Sequence, residues 1–290
     1  MRRPIPISGI WLATIAVLIL TPDTMLMRWS GFDGWAMLAW RGILMGVGLL
    51  ALWLITSRRR AGDIAALLTT GGIGVAICQL FNSGLFAVGI GIAPVSVVLF
   101  GVATVPVWSS IFAYILAGER TGRTTWITTA VVLLGIGIAV LGGEPPEIGR
   151  ASHTILGALC GLGVAASLAF SFVIFRKHTR LPILLVIGVG ALGSGFVGLG
   201  IGGVEGIFDG VIWAIVLAGG VVLPVSFVML SIASRHTHAT NVSLLLLLET
   251  ILGPAWVWAG TGEALTPAMW IGGAIVVISL AVYILALDRA

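Results

Sequence analysis

The chain has 290 residues, 59% of them hydrophobic and only 9% charged, with a mean hydropathy of +1.15. A water-soluble domain carries roughly 25% charged residues, so this chain cannot cover itself with polar surface, and its solvent is lipid. The basic excess, 15 Lys+Arg against 11 Asp+Glu, is scattered over short loops rather than gathered on one face, which excludes a nucleic-acid partner.

Taken in order, the chain begins Met1-Arg2-Arg3 before an apolar run. The run resembles a signal peptide but lacks a small-residue cleavage site and continues too far, so it is read as a retained first span. A helix needs about 20 apolar residues to cross the bilayer. Ten segments qualify: 9–30, 34–56, 64–90, 94–117, 124–142, 155–175, 181–203, 210–234, 240–260 and 267–286. The longest loop, Gly143 to Thr154, contains Glu144-Pro145-Pro146-Glu147 and falls at the midpoint. It reads as a linker (143–154) between residues 1–142 and 155–290. Cys78 and Cys160 both lie in apolar segments with no metal-binding spacing, which predicts free thiols and no metal site. Small residues such as Gly42/Gly46 and Gly157/Gly161 let helix backbones approach, either for tight packing alone or as surfaces on which a bundle slides. Pro22, Pro106, Pro224 and Pro254 each remove a backbone hydrogen bond inside a span, so helices 1, 4, 8 and 9 are expected to bend there.

Orientation follows from the positive-inside rule. With the N-terminus in the cytoplasm, the inner segments hold Arg2, Arg3, Arg58, Arg59, Arg60, Arg120, Arg123, Arg176, Lys177, Arg180, Arg235 and Arg289, and the outer loops hold Arg150 alone. The two halves also repeat. Gly118-Glu119 followed by Trp126 recurs 144 residues later as Gly262-Glu263 followed by Trp270, with Ile127/Ile271, Ala130/Ala274 and Val132/Val276 identical in the same register. Five helices per half is an odd number, so the halves must run in opposite senses. The expected fold is therefore an all-α membrane protein of ten transmembrane helices, built as two inverted-topology five-helix repeats around a central cavity.

Ionisable residues inside a membrane are functional candidates because each is costly. Asp23 and Arg41 each lie nine residues from Phe32 at the outer turn and so share a depth. They read as a structural ion pair between helices 1 and 2, or as cavity lining. Glu249 lies in the middle of helix 9, where an ionised acid costs on the order of 2.5–3.5 kcal/mol. It is either a proton-coupling or substrate-amine group, or a polar tie between helices. Uncharged candidates for a substrate cavity are Gln79, Asn82 and Ser83 in helix 3, Ser96 in helix 4, Ser226 in helix 8 at the repeat position of Asn82, and Asn241 and Ser243 in helix 9 beside Thr240, the repeat partner of Ser96. A few convergent polar groups in an apolar cavity suit a small molecule, and helix–helix hydrogen bonds are the alternative use. Phe86 and Trp108, with Phe81, Phe100, Tyr114, Phe227, Trp256 and Trp258, offer flat walls where they face inward. Trp11, Trp29, Trp35, Trp126 and Trp270 read as interfacial belt residues.

Rival functions are weaker. Ser194 between Gly193 and Gly195 hints at an intramembrane serine hydrolase, but residue 192 is Leu, and His153, His178, His236 and His238 lie at loops or membrane edges, so no catalytic residue pair emerges. A passive channel or facilitator would need a continuous polar pore, and the sequence has no ring of charges or filter-like repeat. No Gly-rich loop ending in Gly-Lys-Ser/Thr is present, so no nucleotide or other cofactor is expected.

The halves resemble two copies of the EamA-type domain of the drug/metabolite transporter superfamily. The first copy reads Val105-Pro106, then Ala117-Gly118-Glu119-Arg120, then Trp126. The second reads Glu249-Thr250, then Thr261-Gly262-Glu263, then Trp270-Ile271-Gly272. The family pattern has a Glu-Pro pair in the fourth helix of each copy; here the first copy keeps only the proline and the second only the glutamate. The segment Glu249 to Trp258 is similar to exporter members, among which aromatic amino-acid exporters of the YddG type are nearest. The resemblance implies ten helices, both termini in the cytoplasm of an inner-membrane protein, and a cavity lined mainly by helices 1, 3, 4, 6, 8 and 9. It implies a secondary transporter that exports small organic metabolites, best matched by amino acids and aromatic ones in particular, by alternating access. The partners expected are a small-molecule substrate and the lipid bilayer; the sequence does not fix the oligomeric state, with a monomer favoured.

Overall fold

The computed structural model describes residues 9–93, 95–141, 151–204, 207–261 and 267–288. The regular elements among the described residues are all helical, fourteen α-helices and one π-helical turn: α1 (Gly9–Leu20), α2 (Asp23–Ser30), α3 (Gly34–Thr56), α4 (Arg60–Leu67), α5 (Thr70–Ile92), α6 (Val95–Val102), α7 (Val105–Ala117), α8 (Arg123–Leu141), α9 (Ala151–Lys177), α10 (Ile183–Gly202), α11 (Ile212–Leu217), the π-turn (Ala218–Val222), α12 (Leu223–His236), α13 (Ala239–Thr261) and α14 (Pro267–Asp288). Among them are eight helical stretches long and apolar enough to cross a membrane. In these, α1 and α2 form one span, α6 and α7 another, and α11, the π-turn and α12 a third. The apolar helices α8 and α14 pack against each other.

The predicted boundaries hold to within a few residues except at the third span, expected at 64–90. There the chain first forms the separate helix α4, and the membrane helix starts at Thr70. Thr69 is the reason: its hydroxyl caps the new helix by accepting from Gly72 N (3.2 Å). A side chain at Gly72 would strike the Ala66 and Leu67 carbonyls, so the turn is tight enough to require glycine. Of the predicted linker, residues 143–150 lie outside the described residues and Ala151 onward is already helix α9. Gly262 and Glu263 also lie outside the described residues.

Prolines act differently in the four helices. Pro22 separates α1 from α2; its missing N–H leaves the Leu18 carbonyl open, and the Thr21 hydroxyl donates to it instead (2.9 Å). Pro106 follows the break between α6 and α7, where Thr104 donates its hydroxyl to the Gly101 carbonyl (2.7 Å). Pro224 follows the π-turn, in which Leu223 N reaches the Ala218 carbonyl, one residue beyond the α-helical partner. Helix α13 continues across Pro254 without interruption.

Lipid tails are as apolar as leucine, so the helices are held by close packing more than by exclusion of water. The α3–α10 pair shows this most clearly. A Cβ on Gly42 would overlap the backbone of Gly195, and one on Gly195 would lie 2.6 Å from Ile43 N. Helix α5 packs on α9 and α10, α1 on α12 and α13, and α7 on α9 and α13. The buried interior, including Val98, Ala165, Val186, Ala218 and Leu244, lies between these helices and surrounds a cavity.

Candidate functional site

Helix α3 carries Met37, Arg41 and Met45 at intervals of four, which places all three on one face. On α5 the series Gln79, Asn82, Ser83, Phe86 has the same helical spacing. These two faces, with Leu20, Asp23 and Met27 of the broken first span, Val102, Val164, Leu168, Leu223, Phe227, Leu230, Leu246 and Glu249, enclose a cavity of about 70 Å³, room for a handful of water-sized groups.

The cavity contains two acids and one base. Arg41 donates Nη1 to Asp23 Oδ1 (3.1 Å) and Nη2 to Asp23 Oδ2 (2.8 Å), a bidentate pair whose side chains are 13% and 3% exposed. The break at Pro22 starts α2 at Asp23, at a helix N-terminus that favours a carboxylate. The π-turn backs the arginine, since a Cβ on Gly219 would lie 2.9 Å from the Arg41 Cα. Glu249 shares the cavity with the pair, and among the described residues nothing hydrogen-bonds its carboxyl. With all three groups ionised the cavity bears one net negative charge. Gln79 (5% exposed) and Asn82 (7% exposed) add amides, and Gln79 donates Nε2 to Ser83 Oγ (3.3 Å). Phe86 and Phe227 supply the rings, and Met27, Met37 and Met45 the soft apolar wall.

Of the residues singled out from sequence, Asp23, Arg41, Gln79, Asn82, Ser83, Phe86 and Glu249 are brought together here. Others sit elsewhere. Ser243 is buried in the α7–α13 seam, bonded to Ser109 Oγ (2.6 Å) and donating to the Ala239 carbonyl (2.8 Å). Asn241 donates Nδ2 to Thr237 (3.1 Å) and accepts from the Tyr283 hydroxyl (2.8 Å), which also meets Thr125 Oγ1 (2.8 Å). Ser226 is fully buried in α12, and its hydroxyl has no hydrogen-bond partner among the described residues. Trp108 is half-buried and stacks on Phe112 at 5.8 Å. The side chain of Ser96 lies outside the described residues. Phe81, Phe100, Tyr114, Trp256 and Trp258 are exposed on the outside of the bundle. The methionines were not legible beforehand, because an apolar residue in an apolar helix carries no mark of the face it occupies.

Past the cavity, toward the C-terminal end of α7, the halves are tied together. Glu119 accepts from Arg176 Nε (3.3 Å) and meets His238 Nδ1 (2.8 Å). Lys177 Nζ donates to the Leu116 carbonyl (2.6 Å), and Ser110 meets Thr240 at 3.4 Å. Gly118, in the left-handed conformation at φ 68°, ends α7 and turns the chain so that Glu119 faces this cluster.

Residues 7–141 match the EamA-like transporter family. The comparison with curated proteins returned no match. Among solved structures 27 chains match. One of them, titled only "Crystal structure of protein", is 17% identical and superposes with a TM-score of 0.75 over 97% of this chain and 99% of its own. At that identity the likeness is one of fold.

Proposed function

We propose, on the premise that residues 7–141 form an EamA-like transporter domain, that the chain is a secondary transporter exporting small organic metabolites by alternating access. Amino acids, aromatic ones foremost, are the substrates we assign. EamA-type proteins are membrane transporters for small solutes rather than enzymes, and the apolar helices here make this a multi-pass membrane protein. We assign it to the inner membrane with both termini cytoplasmic, on the loop charge asymmetry.

The cavity carries the reading. Glu249, to which no described residue hydrogen-bonds, suits a substrate ammonium group or a coupling proton. Arg41 uses two of its five N–H donors on Asp23, which leaves three to meet a carboxylate. Phe86, Phe227 and the methionines suit an aromatic or aliphatic side chain. Alternating access has separate support. Exchanging residues 1–142 for 155–290 carries the α5–α9 packing onto α12–α1, the α7–α9 packing onto α13–α1, and leaves the α3–α10 and α8–α14 pairs unchanged. One seam breaks this pattern. The end of α7 packs on the start of α13, but α6, the counterpart on the other side of the cavity, packs on α9, α5 and α8. We read the tied seam as the shut cytoplasmic side and the cavity as open outward.

The test is flux in liposomes containing the purified protein, with labelled amino acids and organic cations, with and without a pH gradient. We expect saturable flux of amino acids with competition among aromatic ones, and Glu249→Gln should abolish the response to the gradient. Unsaturable passage of many solutes would replace the transporter by a pore, and a Glu249→Gln variant with an unchanged pH response would remove that residue from coupling.

A further inference from the structure

Between the second and third spans, α4 buries none of its residues. Arg58, Arg59 and Arg60 stand at its start, all exposed. Arg60 Nη2 is occupied by the Leu54 carbonyl (2.6 Å). Among the described residues no ion pair engages Arg58 or Arg59. The segment's single acid, Asp63, is turned inward: its Oδ2 accepts from Trp53 Nε1 (2.9 Å) and from Ser57 Oγ (2.5 Å). Those two bonds fasten α4 to the end of α3. Ile64 and Leu68 fall at i and i+4 and therefore share a face; Ile64 is 45% and Leu68 66% exposed, while Leu67 beside them packs on the hydrophobic core. The last turns of α3 are equally bare, with Leu52 at 46%, Leu54 at 47% and Ile55 at 80%, as a lipid-facing span requires.

A helix tied to the end of a lipid-facing span, with uncommitted guanidinium groups at one end and an exposed aliphatic face, satisfies both only where headgroups meet acyl chains. We propose that α4, with Arg58 and Arg59, is a docking surface for the anionic phospholipids of the surrounding bilayer. The guanidinium fork matches a phosphate bidentately, and Ile64 and Leu68 enter the acyl boundary beside it. Asp63, held by Trp53 and Ser57, anchors the helix to the end of α3 and keeps its own charge occupied there. The inference rests on the membrane-spanning reading and is independent of the transported substrate.

The experiment titrates phosphatidylglycerol, or phosphatidylcholine as the neutral control, into the full-length protein in detergent and follows bound lipid by native mass spectrometry at low salt. The wild-type protein should bind phosphatidylglycerol more tightly than phosphatidylcholine. Each arginine near an anionic headgroup contributes about fivefold, so Arg58→Gln with Arg59→Gln should weaken phosphatidylglycerol binding on the order of twentyfold. Arg58→Lys with Arg59→Lys should retain most of it. Ile64→Asn with Leu68→Asn should weaken binding although every charge remains. Unfolding temperature in phosphatidylcholine checks that each variant is folded, and the single arginine variants, each expected to lose about fivefold, serve if the double variant is not. Arg120→Gln with Arg123→Gln, an exposed pair in another loop of the same predicted side, should cost less. The proposal is overturned if the two arginine pairs lose affinity equally, if Arg58→Gln/Arg59→Gln binds as wild type does, or if inorganic phosphate competes as well as the lipid.

Discussion

The Asp23–Arg41 pair fixes what the rest of the cavity can do, because a buried charge cannot be left alone. Its two bonds, 2.8 and 3.1 Å, satisfy both carboxylate oxygens at once. Removing one partner of such a pair costs about 3–5 kcal/mol, since the other stays buried and uncompensated. Asp23→Asn and Arg41→Gln should therefore each lower the unfolding temperature sharply, and the double variant should recover part of the loss. Strictly additive losses in that cycle would mean the two groups act independently. This pair was readable in the sequence because both residues are charged and equidistant from Phe32. Glu249, Gln79 and Asn82 were readable as candidates for a related reason: a polar residue in an apolar helix turns away from lipid. Asn241 and Ser243 are polar too, yet they lie in the seam between halves. A hydroxyl or amide serves a helix–helix bond as readily as a ligand, and sequence spacing does not separate the two uses.

At the scale of single elements, glycine sets how closely the helices approach. Gly42 and Gly48 occupy the same helix, α3, and differ only in what faces them. A methyl group at Gly42 would run into the Gly195 backbone, whereas one at Gly48 meets nothing within 4 Å. Gly42→Ala should cost about 1–3 kcal/mol, because backbone on both helices must move. Gly48→Ala should be neutral or stabilise by about 0.4–1 kcal/mol through the unfolded chain. Equal midpoints for the two variants in thermal unfolding would show that α3 and α10 are not locked at this contact. The sequence identified Gly42/Gly46 as a small-residue face but did not name α10 as the partner. It marked Pro22, Pro106 and Pro224 as irregular points but did not distinguish a break from a π-turn. That choice depends on the local hydrogen bonding: the Thr21 hydroxyl takes the carbonyl that Pro22 leaves open, the Thr104 hydroxyl bonds the Gly101 carbonyl at the α6–α7 break, and a shifted backbone register precedes Pro224.

Across the whole molecule the question is whether the tied seam opens. Glu249 stands six residues from Ser243 on α13, about 9 Å along the helix axis, so the Ser109–Ser243 contact lies directly beneath the cavity floor. An alternating-access cycle must separate these two hydroxyls, now 2.6 Å apart, and with them the Glu119 contacts to Arg176 and His238. Ser109→Cys with Ser243→Cys, in a chain whose own free Cys78 and Cys160 are replaced by alanine, should form a disulfide, since the two side chains already meet. The oxidised protein should bind substrate but not transport it, and reduction should restore flux. A pore running beside this seam would conduct equally in both states. A fully cross-linked protein that still transported at the wild-type rate would therefore show that the path does not pass between α7 and α13, and the alternating-access reading would lose its moving part.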